Sequence, residues 1–119
     1  MPMWNKPTPE ELAEIPRIHE TESMPLKDKV IYMHFFIADC DWYIAEYDGE
    51  DLFWGFCHLG DDLNAEWGYV SLEELENTKV QGFVEIDRDL DWKERPACEI
   101  PKIARCPNSW PKESCESTG

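Results

Sequence analysis

Apolar and polar positions alternate along the chain in an order that predicts its elements one after another. Leu12 and Ile15 form a short apolar stripe at helical spacing. Thr8 stands where its hydroxyl accepts from the Glu11 backbone while Glu11 reaches back, and Pro9 takes the first helical position. Pro16 discourages continuation, so the pattern predicts a helix over Pro9–Ile15. Residues 21–27 show no periodicity and form a connection. From Lys29 to Ala38 both alternating sets are apolar: Ile31, Met33, Phe35 and Ile37 on one side, Val30, Tyr32, Phe36 and Ala38 on the other. Such a strand is covered on both faces, or its second face is a binding surface. Two aromatic runs, Asp41 to Tyr47 and Leu52 to Leu59, flank Asp48-Gly49-Glu50-Asp51 and predict a hairpin. A turn at Gly60-Asp61-Asp62 leads to a fourth strand over Ala65 to Val70, which completes an antiparallel meander. Ser71 with Glu74 makes a second capping box over a short helix with an acidic first turn. Gly82 to Leu90 predicts a last short strand.

From Arg95 onward, prolines at 96, 101, 107 and 111 and small polar residues predict an extended or disordered tail. The fold class expected is therefore α+β: a curved antiparallel sheet of four to five strands, two short helices and an extended C-terminal tail. Residues 1–95 are expected as a single domain and 96–119 as the tail.

Composition narrows the functional classes. A chain of 119 residues supports one core, and six Trp, five Phe and four Tyr supply large buried area for it. Asp and Glu number 26 against 11 Lys and Arg, a formal net charge of −15. That balance disfavours direct binding to nucleic-acid phosphates or to an anionic membrane. No apolar run approaches the length of a membrane span, which is about 18 residues or more. The N-terminus lacks the apolar region of a signal peptide. Five cysteines, an odd number, with Cys40 and Cys57 inside apolar segments, read as reduced thiols. A cytoplasmic protein is expected, and the sequence leaves its oligomeric state open.

Several blocks form a recognisable series. Asp41-Trp42-Tyr43-Ile44-Ala45-Glu46-Tyr47-Asp48-Gly49-Glu50-Asp51 continues to Gly55. Trp67-Gly68-Tyr69-Val70-Ser71-Leu72-Glu73-Glu74-Leu75-Glu76 follows, and then Glu85-Ile86-Asp87-Arg88-Asp89-Leu90-Asp91-Trp92. Over Pro9 to Ile103 this series resembles the bacterial family catalogued as domain of unknown function 2958. Asp87 stands where that family often has Glu. The resemblance implies a small cytosolic protein of the kind often encoded on plasmids, integrative elements and phages. It implies no catalytic residues, because the family has no established activity.

The charge is concentrated. Between residues 39 and 76 stand Asp39, Asp41, Glu46, Asp48, Glu50, Asp51, Asp61, Asp62, Glu66, Glu73, Glu74 and Glu76, with no Lys or Arg among them. A soluble acidic surface is the plain explanation. The sharper one is a surface built for a basic partner, in one form imitating the phosphate pattern of nucleic acid. A hard cation is disfavoured, since Asp39/Asp41, Asp48 to Asp51 and Asp61/Asp62 lack the spacing of a calcium-binding loop and sit where Asp favours turns. Cys98, Cys106 and Cys115 are too widely spaced for paired zinc knuckles, and no His accompanies them. Cys57 and His58 are adjacent and so face opposite sides of a strand, His34 packs in the sheet and His19 lies in a loop; all are expected to be structural. Asp87, Asp89 and Asp91 form an acidic row with Glu85, and Arg88 is expected as an ion-pair partner rather than a catalytic group. The aromatic residues Trp42, Tyr43, Tyr47, Phe53, Trp54, Phe56, Trp67 and Tyr69 exceed what one sheet face buries, so some are expected on a groove or patch.

The function expected is a non-enzymatic acidic interaction protein of a mobile element. It would bind and inhibit a basic host nucleic-acid-binding defence complex, of restriction or CRISPR type, by mimicry of nucleic acid. Its binding residues are expected to be Asp39, Asp41, Glu46, Asp48, Glu50, Asp51, Asp61, Asp62 and Glu66, with Trp54 and Trp67, and no cofactor, metal or catalytic residue is expected. The alternative is a metal-binding protein or hydrolase that uses clustered carboxylates.

Overall fold

The computed structural model of the chain describes residues 6–80 and 84–110. In chain order the elements are α1 (Pro9–Ala13), β1 (Val30–Ile31), β2 (Met33–Ile37), β3 (Cys40–Tyr47), β4 (Leu52–Leu59), β5 (Glu66–Ser71), α2 (Leu72–Asn77), β6 (Lys79–Val80), β7 (Val84–Glu85), β8 (Asp87–Arg88), β9 (Arg95–Pro96) and α3 (Pro101–Ala104). Single 3₁₀ turns at Leu26–Asp28 and Ala97–Glu99 precede β1 and α3. The fold is α+β, as its patterning predicts, with three short helices among the described residues where two are expected. No helix among the described residues is long and apolar enough to cross a membrane.

The five-stranded sheet runs β5-β4-β3-β2-β8, an antiparallel meander closed at one edge by the late strand β8. Local chemistry explains the connections. The capping box of α1 forms in full, with Thr8 N–H donating to Glu11 Oε1 at 2.8 Å and Glu11 N–H donating to Thr8 Oγ1 at 3.1 Å. Gly49 carries the positive φ of 92° that the β3–β4 turn needs. Unmarked in the sequence, Ala38 adopts φ 51° and with Asp39 reverses the chain between β2 and β3. Register slips between Ile44 and Glu46, a bulge opposite Gly55. A Cβ at Gly55 would lie 2.0 Å from the Tyr43 carbonyl oxygen, so this position excludes every side chain.

The sheet is buried on both faces. On the first, Met33, Phe35, Ile37, Ile44, Tyr47 and Phe53 pack with Ile15 beyond α1 and with Leu72 and Leu75 of α2. On the second, Tyr43, Ala45 and Phe56 pack with Ala97, Ile100, Ile103 and Cys106, rimmed by Trp54, Trp67, Trp92 and Trp110. Strand β2 buries Met33, Phe35 and Ile37 on the first face and half-buries His34 and Phe36 on the second.

Residues 96–110 are therefore not an extended tail. Ala97, Ile100, Ile103, Cys106 and Ser109 are all buried, one residue in every three, which is the period of a tightly wound 3₁₀-like path. Two of the prolines that suggest a tail instead fit this path. Pro96 precedes the 3₁₀ turn and pairs with Val30, and Pro101 takes the first position of α3. A side-chain hydrogen bond fastens the segment to the sheet, the Trp67 indole N–H donating to the Ser109 carbonyl at 2.7 Å, and within the segment Ser109 Oγ donates to the Ile103 carbonyl. Residues 111–119 lie outside the described residues, as do 81–83, which include the first two residues of the predicted last strand. What is described of that strand divides into β7, paired with β6, and β8, paired with β2.

Candidate functional site

The acidic residues separate into those that hold the fold together and those displayed on it. Asp41, on the second face of β3, is buried. Its Oδ1 lies 2.6 Å from His34 Nε2, and its Oδ2 accepts from Lys102 Nζ of α3. Burial pushes the Asp41 carboxyl up, but His34 and Lys102 outweigh it and hold the group below its ordinary value. His34 stacks on Tyr43 at 4.6 Å, and its buried Nδ1 makes no hydrogen bond, with Asp89 Oδ2 3.6 Å away. Glu46 is buried too. It accepts from His19 N–H at 3.0 Å and pairs with Lys29 Nζ at 3.7 Å, side chains 5% and 6% exposed. That pair ties the long connection after α1 to β3. Asp62 receives His58 Nε2 at 2.5 Å and Arg105 Nε at 3.1 Å, and these two partners, His58 first, lower its pKa.

Other acids work as turn and helix caps. Asp48 Oδ1 accepts from the N–H groups of Glu50, Asp51 and Leu52 at 2.8, 2.8 and 2.9 Å. Desolvation is the largest single influence and pushes the Asp48 carboxyl up, but the three donors together outweigh it and hold the group below its ordinary value. Asp51 accepts from Ser71 Oγ and, through Oδ1, from Glu73 N–H at 2.8 Å, so the β3–β4 turn caps α2 from across the chain. Ser71 completes its own half of the cap by accepting from Glu74 N–H at 3.2 Å. Asp61 accepts from Leu63 N–H and Asn64 Nδ2 at 2.9 and 2.6 Å.

Glu50, Glu73 and Glu74 are exposed on this capped scaffold. Asp48 and Asp51 thus fix the backbone that presents them, one turn of chain and one helical turn side by side. Arg17 lies against Gly49 at the same end. At the opposite end of the sheet, Asp39 and Glu66 are exposed, Asp39 approaches Gly60, and Lys102 and Arg105 supply positive charge. The predicted set is therefore split between two ends of the molecule.

The predicted aromatic anchors lie elsewhere. Trp54 and Trp67 stack on each other at 4.9 Å within the second core, and neither forms an exposed patch. Of the eight aromatic residues in excess, Tyr69 alone is more than half exposed. Sequence reasoning leaves out the cations that meet these acids: Lys29, Lys102 and Arg105, with His34 and His58. Only the alternation of His34 and His58 with buried neighbours hints at their inward direction. A further cation, the partly buried Arg88, reaches from β8 to Glu11 Oε1 at 2.9 Å, the ion-pair role its motif suggests.

The family model described as protein of unknown function (DUF2958) matches residues 8–106, a span that includes α3 and most of the C-terminal cover. No curated protein and no solved structure shows significant similarity to the chain.

Proposed function

We propose that this chain, which belongs to the DUF2958 family, is an acidic docking protein whose partner is a basic protein. The observation that supports this reading is the division of labour at the β3–β4 turn. Asp48 and Asp51 are committed to backbone N–H groups, and Glu50, Glu73 and Glu74 project from the scaffold they fix. Carboxylates already organised on a rigid turn and helix start meet a basic surface with little loss of freedom. The repulsion among them at a net charge of −15 is relieved when that surface arrives. A nucleic-acid-binding complex of a host defence system, with sites that normally hold phosphates, is the partner class this chemistry suits, and occupying those sites would inhibit it.

The test is a pull-down with the tagged full chain from a bacterial lysate at low and high salt. The Glu50→Lys/Glu73→Lys variant is run in parallel, with its melting temperature confirmed. Retention of a basic nucleic-acid-binding complex by the wild type, lost at high salt, displaced by DNA or RNA and at least tenfold weaker for the variant, supports the proposal. A partner retained equally by both proteins, or indifferent to salt, overturns it. Asp48 and Asp51 are unsuitable for charge reversal, because their loss would unfold the turn itself.

A further inference from the structure

Where the C-terminal cover meets the sheet, three groups of metal-ligating type converge that have no part in the docking turn. His58 comes from β4, Asp62 from the turn that follows it, and Cys106 from the chain just beyond α3. A His58 ring nitrogen, an Asp62 carboxylate oxygen and Cys106 Sγ all lie within 4.8 Å of one another, with Nε2 the nitrogen that meets Asp62. His58 and Cys106 are 3% and 5% exposed, whereas the Asp62 side chain is 42% exposed and opens the cluster to solvent. We propose that His58, Asp62 and Cys106 bind a zinc ion with three protein ligands and one water, which fastens the C-terminal segment to the second face of the sheet.

The donor set argues for zinc among common divalent ions. A thiolate with an imidazole selects a borderline-soft ion, while magnesium and calcium require oxygen ligands. One carboxylate and one thiolate neutralise the charge of the ion. Bonds of about 2.0–2.3 Å to a tetrahedral ion separate its ligand atoms by about 3.3–3.8 Å. The ion therefore needs Cys106 to close by up to an ångström, about the same distance by which Asp62 must retreat from its 2.5 Å contact with His58.

Proton bookkeeping follows from the hydrogen bonds. Gly60 N–H donates to His58 Nδ1 at 3.2 Å, so the metal-free imidazole carries its proton on Nε2 and gives it to Asp62. Binding through Nε2 moves that proton to Nδ1, and the long Gly60 bond is released. Cys106, whose thiol donates to the Lys102 carbonyl, loses its proton to solvent, so one proton leaves per ion bound. Arg105, 56% exposed, gives up Asp62 to the ion and returns to water.

Cobalt(II) is the direct probe, added to the chelator-treated full chain, with zinc affinity measured by its displacement. One equivalent of cobalt is expected to give the intense visible bands of a four-coordinate ion and a near-ultraviolet sulfur-to-cobalt charge-transfer band. Cys106→Ser should abolish the charge-transfer band, and Cys98→Ser should leave it intact. Asp62→Asn, at a half-exposed position, should weaken zinc at least tenfold. Zinc should raise the melting temperature of the wild type and not of Asp62→Asn. Calorimetry in buffers of different ionisation enthalpy should find one proton released. Absence of a sulfur-to-cobalt band in the wild type, or a band and affinity unchanged in both Cys106→Ser and Asp62→Asn, overturns the proposal.

Discussion

At the scale of single residues, the fold depends on carboxylates that are ionised because of where they sit. Asp41, Asp48 and Asp62 all have pKa values below the ordinary 3.8 for Asp. A carboxyl with a depressed folded pKa stabilises the protein fully above its unfolded value and loses that contribution as pH falls through it toward the folded value. Stability measured by urea unfolding is therefore expected to decline below about pH 5 and to continue declining as pH falls through the depressed folded values. Asp41 carries the sharpest version of the effect, because its oxygens meet both His34 and Lys102 in a buried setting. Asp41→Asn should cost about 2 kcal/mol at pH 7, typical of hydrogen bonds to charged groups. The difference between variant and wild type should narrow as pH falls below 3.8 and close at the pH where the wild-type carboxyl has taken up its proton. A gap that stays open at that pH would assign the loss to packing rather than to charge.

Among the elements, the segment from β9 to Ser109 decides whether the sheet has one core or two. Ile103 is fully buried against Tyr43 and Phe56. Ile103→Ala should destabilise by about 2–5 kcal/mol, the usual cost of emptying a packed aliphatic site. Hydrogen exchange should show the loss: amides of α3 and β9 open first, and those of β3 and β4 follow only at global unfolding. Protection lost uniformly across the sheet would mean that the cover and the sheet form one cooperative unit.

The same segment marks where the sequence stops being legible. The meander is readable because its signals are local, with aromatic and β-branched residues in alternation and an Asp-Gly pair between two runs. The cap of α1 and the Ser71 half of the α2 cap are equally local, four residues each, whereas the Asp51 contribution to α2 comes from 22 positions away. The C-terminal cover is written in a period of three through Ala97, Ile100, Ile103, Cys106 and Ser109, in which small and polar residues take core positions and prolines interrupt the view. The candidate site is obscured for a related reason. Asp41 and Lys102 stand 61 positions apart, and Asp62 and Arg105 stand 43 apart, so nothing nearby distinguishes them from Glu50, which faces water. Only the fold separates acids that cap and pair from acids on display.

For the whole molecule, the excess of negative charge opposes folding through self-repulsion. The internal pairs Lys29–Glu46, Lys102–Asp41 and Arg88–Glu11 involve three of the eleven basic residues. Those buried or half-buried pairs are only weakly screened, whereas repulsion among exposed acids such as Glu50, Glu73 and Glu74 is screened within about 10 Å at 0.1 M salt. Sodium chloride should therefore stabilise the protein. Between low ionic strength and 0.5 M salt, calorimetry should find the melting temperature raised, by about 4 °C for each kcal/mol of repulsion removed. Glu50→Gln/Glu73→Gln should begin from a higher melting temperature at low salt and rise less. A melting temperature that falls with salt would show that attraction at the ion pairs outweighs repulsion across the surface. In that case a basic partner could not draw its binding energy from relief of the exposed charge.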